Sequence, residues 1–136
     1  MSVKNLLCLC LICLAVACTP QTPDAQSQRL VQKGPAALIY QPARLQTESP
    51  LQLDIHTPPG WQLHKAVLVG LSMDMPTLPL FFNRQQNGDP TQLTWQTQFL
   101  LGACADEQMR WQLDLLFIDE KGAEQRLSDQ FVVFRH

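Results

Sequence analysis

The stretch Met109-Arg110-Trp111-Gln112-Leu113-Asp114-Leu115-Leu116-Phe117 decides the fold. Its apolar residues Met109, Trp111, Leu113, Leu115 and Phe117 recur at every second position. An extended chain sends alternate side chains to opposite faces, so this is a strand with one apolar face. Glu120-Lys121-Gly122 turns the chain, and Gln130 to Arg135, rich in Phe and Val, returns it. Upstream, Thr91 to Leu101 alternates through Leu93, Trp95, Thr97 and Phe99, after the turn sequence Asn87-Gly88-Asp89-Pro90. Leu80-Phe81-Phe82 reads as a short strand behind Pro76 and Pro79. Leu63 to Leu71 is apolar enough for burial on both faces. Leu51, Leu53 and Ile55 alternate with Gln52, Asp54 and His56, and Thr57-Pro58-Pro59-Gly60 ends that run in a turn. Ala36 to Tyr40 reads as an edge strand stopped by Pro42. About seven strands, with no sustained 3.6-residue period, predict an all-β fold: an antiparallel immunoglobulin-like sandwich with Trp95 and Trp111 in its core.

The N-terminal segment has a different composition. Lys4 precedes an uncharged apolar run from Leu6 to Ala17, shorter than the roughly 20 residues a membrane span needs. Leu14-Ala15-Val16-Ala17-Cys18 resembles the lipobox of bacterial lipoproteins. The resemblance implies a signal peptide over residues 1–17, lipid on Cys18, and a domain held at a membrane. Thr19 stands where an aspartate commonly marks inner-membrane retention, so the periplasmic side of the outer membrane is the expected location. Residues 18–34, with Pro20, Pro23 and many Gln, read as a lipidated N-terminus and flexible tether. Residues 35–136 are then the folded domain, about 100 residues, enough for one two-layer core.

Loss of the signal removes Cys8, Cys10 and Cys13, and lipid occupies Cys18, so Cys104 is the one thiol left. No intramolecular disulfide can form. Charges are scattered and slightly acidic, with no basic patch, which argues against nucleic-acid binding. Ser27, Ser49, Ser72 and Ser128 lie in no nucleophile elbow, and no Gly-rich phosphate loop is present. Asp106-Glu107 and Asp119-Glu120 read as solvated turn residues. The expectation is a protein that is not an enzyme.

The unusual local sequence is Ser72-Met73-Asp74-Met75-Pro76, followed by Cys104 and Met109 around a turn. In an extended chain a Met-x-Met pair places both thioethers on one side, and soft sulfur donors suit Cu(I). Met73, Met75, Cys104 and Met109 are therefore the candidate metal ligands, with His56 or His64 as a supplementary imidazole. The same residues also fit plain packing. Counted from Leu63, the positions Val67, Val69, Leu71, Met73 and Met75 share one face, and Met109 begins the Trp111 stripe.

The order Met-x-Met-Pro, Phe-Phe strand, Asn-Gly turn, Trp-containing strand and Met-x-Trp resembles small periplasmic sandwich domains of the YtkA-like and FixH-like kind. It spans Gly70 to Trp111 and is also similar to lipoproteins that accompany Sco-type copper chaperones. Pro76 stands where those domains often carry glycine, and histidines are few. The resemblance implies an accessory role in copper handling or cytochrome oxidase assembly, with a copper chaperone or assembly protein as partner. A scaffolding or ligand-binding envelope lipoprotein is the alternative, and a thiol-redox partner acting through Cys104 is a third.

Overall fold

A computed structural model describes residues 27–72, 74–85 and 89–136. The signal segment, Cys18, Met73 and the Asn87-Gly88 turn lie outside the described residues. Among the described residues nine strands follow in order: β1 (Arg29–Lys33), β2 (Ala36–Gln41), β3 (Leu51–Thr57), β4 (Gln62–Gly70), β5 (Leu78–Pro79), β6 (Asn83–Gln85), β7 (Leu93–Phe99), β8 (Gln108–Ile118) and β9 (Glu124–Phe134). They form two antiparallel sheets, ordered β1-β2-β3-β7-β6 and β5-β4-β8-β9. Without β1, this is the strand order of an immunoglobulin-like sandwich, with β3 and β7 central in one sheet and β4 and β8 in the other.

The opening stripe behaves as its period requires. Trp111, Leu113, Leu115 and Phe117 on β8 are each at most 3% exposed. Fully burying such a side chain stabilises a fold by about 1.5–3 kcal/mol. Across the core, Trp95 of β7 meets Phe117 edge-on at 6.3 Å, and Tyr40 of β2 lies 5.3 Å from Phe131 of β9. The β8–β9 hairpin is tied by Asp119, whose carboxylate accepts the backbone N–H groups of Ala123 and Lys121 and the Gln125 amide. Those bonds, that of Ala123 foremost, hold the Asp119 carboxyl below its usual range.

Three expectations are corrected. First, β4 is not buried on both faces, and Val67 and Val69 do not lie on its core face. The ladder pairs Leu63 with Phe117 but Lys65 with Leu116, so His64 is the extra residue of a bulge. One added residue exchanges the two faces of everything beyond it. Ala66 and Leu68 are buried, while Val67 and Val69 are half-buried on the outer side. Second, Leu80-Phe81-Phe82 is not a strand. It is the crossover from β5 in one sheet to β6 in the other, and Phe81 is 82% exposed. The remaining additions to the expected seven are the splitting of that region into β5 and β6, and β1.

Third, the fold begins before Pro35. Arg29–Lys33, read as tether, is a strand paired along its whole length with β2. Its Arg29, Val31 and Lys33 are half-buried, whereas Leu30 and Gln32 are exposed. The reason lies on the opposite sheet. Asp129 of β9 is only 5% exposed. It receives Arg29 Nη1 at 3.0 Å and Tyr40 Oη at 2.9 Å on Oδ2, with Lys33 Nζ 3.4 Å from Oδ1. The Arg29 guanidinium also lies 4.9 Å from the centre of the Tyr40 ring. A buried carboxylate needs paired donors. Here they come from β1 and β2, so a charged cluster closes one side of the sandwich.

Candidate functional site

One end of the sandwich gathers the loops that carry sulfur. Gly70 of β4 is paired with Trp111 of β8. Beyond them, Leu71 N donates to Arg110 O, and Arg110 N donates to Ser72 Oγ at 3.0 Å. The chain leaving β4 through Leu71 and Ser72 is therefore held at the start of β8, the end of the fold that residues 100–107 enter. The loop of residues 42–50 is stitched to the same end, through Glu48 N to Leu101 O and Thr47 N to Phe134 O. The C-terminus joins it, with Arg135 N donating to Glu107 O and His136 N donating to Thr47 Oγ1.

Of the four expected ligands, Met75 and Cys104 are half-buried in these loops, and both pack against the hydrophobic core. Met109 is 1% exposed on the inner face of β8, two residues before Trp111. Met73 lies outside the described residues. Three of the expected sulfur residues therefore belong to one end of the fold, in two grades of accessibility. Thioether and thiol donors half-withdrawn from water fit a soft monovalent ion. Among the described residues no group of three or more His, Cys, Asp and Glu is placed to hold a metal, so a metal site at this end would have to draw on methionine.

The supplementary histidines are not here. His56 is paired with Thr94 near the far end of β3, and His64 sits at the bulge where β4 begins, also at the far end. A strand carries its two ends apart by about 3.3 Å per residue, so neither imidazole reaches the sulfur loops. His136 does share their end. It lines an open cavity of about 390 Å³ with Arg44, Glu107, Gln108, Phe134 and Arg135. The Arg44 guanidinium lies over the Phe134 ring at 4.4 Å. Nothing local in the sequence marks His136 as different from a loose terminal residue. Its place follows from the Thr47 and Glu107 contacts, which are distant in the chain.

Two further features border this end. The Trp111 indole N–H is buried with no hydrogen-bond partner among the described residues. Leu71 is 37% and Leu100 62% exposed, so two large apolar side chains stand in water beside the sulfur loops.

The fold is shared with a DUF4426 family protein from Pseudomonas aeruginosa PAO1, known from its crystal structure. The TM-score is 0.52 at 13% sequence identity, over 80% of this chain and 96% of that one. At that identity the likeness is one of fold. No protein-family model matches the chain, and no curated protein matches it.

Proposed function

We propose that this is a lipid-anchored accessory protein of the bacterial cell envelope, attached through Cys18 and facing the periplasm from the outer membrane, whose sulfur-bearing loop end takes up copper(I). In this reading it is not an enzyme. Its Cu(I) is cargo passed to or from a copper chaperone or an oxidase-assembly partner. Met75 and Cys104 are its accessible donors, Met73 is their neighbour in the Met-x-Met segment, and Met109 is a deeper donor that engages only if β8 yields locally. The observation that carries the reading is that Met75 and Cys104 are both half-buried in loops at the end of the fold where β4 finishes and β8 begins. Thioether and thiol donors favour Cu(I) over harder ions.

The test is competition for Cu(I) between the chain from Thr19 onward and a colorimetric chelator. About one equivalent should be retained. Met73→Leu with Met75→Leu, or Cys104→Ser, should weaken retention at least tenfold. Full retention in both variants would exclude the site.

The exposed Leu71 and Leu100 favour a second reading, a scaffolding or partner-binding lipoprotein in which the same end is a contact surface. In that case Leu71→Asp with Leu100→Asp abolishes partner capture, and the sulfur variants leave it intact.

A further inference from the structure

The side of the sandwich closed by β1 has the properties of a strand-binding slot. One wall is the edge of β2, which pairs with β1 from Arg29↔Tyr40 to Lys33↔Ala36. The other is β9 of the opposite sheet, which presents Asp129, and whose Gln130 carbonyl accepts from Arg29 Nη2 at 3.4 Å. The slot thus recognises an extended segment in two ways. Main-chain bonds run along β2, and a buried carboxylate reads basic side chains two positions to either side of an apolar one. Arg29-Leu30-Val31-Gln32-Lys33 meets that pattern with Arg29, Val31 and Lys33 facing in.

We propose that β1 is an exchangeable strand and that the slot accepts β1 from a second copy of this chain. Among the described strands, β1 has one ladder neighbour, β2. Only Gly34 and Pro35 separate it from β2, and the turn holds Gly34 at φ 58°. Straightening this two-residue turn makes β1 and β2 one continuous strand and takes β1 out of its own slot. Every interaction of β1 can then be remade in trans, because the occupant is chemically identical. Exchange keeps these interactions and costs mainly association entropy, which is why an identical element is a low-cost route to a dimer. Copies confined to one membrane, if Cys18 is lipidated as proposed above, would meet at high effective concentration. The slot itself does not depend on that reading.

The test uses the chain from Thr19 onward with Cys104→Ser. Leu30 and Ile39 are cross-strand partners on the solvent side of the ladder. A Leu30→Cys chain and an Ile39→Cys chain are mixed at high concentration, incubated reduced, and then oxidised. Exchange predicts a mixed disulfide dimer well above the share that random pairing gives, growing with incubation time. A mixed dimer at or below the random share would overturn the proposal. Deleting Gly34 and Pro35 removes the room to fold back. The deletion variant should be a folded dimer by light scattering and circular dichroism, and a folded monomer would also overturn the proposal. If the deletion fails to fold, the disulfide experiment decides alone.

Discussion

The loop end and the β1–β9 side hold contrasting clusters of chemically active side chains. At the loop end, Met75 and Cys104 are half-buried in irregular segments and pack against the hydrophobic core. On the β1–β9 side, Asp129 is nearly inaccessible and its carboxylate contacts Arg29, Lys33 and Tyr40. A half-buried, loosely held cluster can change partners at small cost. A buried, saturated charge can only take an equivalent partner in exchange, because each partner lost without replacement leaves a desolvated group behind. One region is free to adapt, and the other closes the fold.

The largest effect should come from Asp129→Ala. It strands the buried Tyr40 hydroxyl and unpairs both cations of β1. Arg29 and Lys33 keep about a third of their side-chain surface in water and can be rehydrated. The expected loss is therefore near the lower end for a broken buried pair, about 3 kcal/mol, read from the urea midpoint by tryptophan fluorescence. A loss below about 0.5 kcal/mol, the level of an ordinary surface change, would mean that this side is not a closing cluster at all.

Within the sulfur set, stability and binding should separate. Met109→Ala opens a cavity in the core and should cost about 2–4 kcal/mol, whereas Met75→Ala, from a half-buried loop, should cost about 1 kcal/mol or less. Copper(I) retention should move the other way, falling further for Met75→Ala. Equal costs for the two methionines would erase the distinction between core filler and accessible donor.

A smaller effect concerns alkaline pH. Burial first, and then the charge and hydrogen bond of Asp129, push the Tyr40 phenol well above its usual range. The unfolded chain releases that proton near pH 10, and the folded chain keeps it. Stability from this source is complete below about pH 10 and declines as pH rises further. Tyr40 is the one tyrosine in the chain, so tyrosinate absorbance reports it alone. Absorbance should rise only together with loss of the folded tryptophan signal. Ionisation near pH 10 in a chain that is still folded would contradict a closed cluster.

These contrasts track what could be read from residues in order. β8 was legible because each inward residue from Met109 to Phe117 is apolar and each is buried in the same register. The hairpin after it and the sandwich class were legible for the same reason. β4 was misread because a bulge at His64 leaves no mark in the hydrophobic pattern, yet reverses the faces of all that follows. β1 was hidden more deeply. Its inward residues include Arg29 and Lys33, which signal a solvated tether until Asp129, about 100 positions later, is folded against them. The sulfur residues could be picked out by type, and their shared end depends on strand order. Alternation put Met109 on the core face with Trp111, where it lies, but could not reveal that His136 rather than His56 or His64 stands at the sulfur end.

The most direct test of the copper reading is X-ray absorption at the copper edge of the Cu(I)-loaded chain. The account predicts a first shell dominated by sulfur at about 2.3 Å, the usual metal–thiolate distance, and a loss of one sulfur in Cys104→Ser. A shell of nitrogen and oxygen only, unchanged by Cys104→Ser, would contradict it.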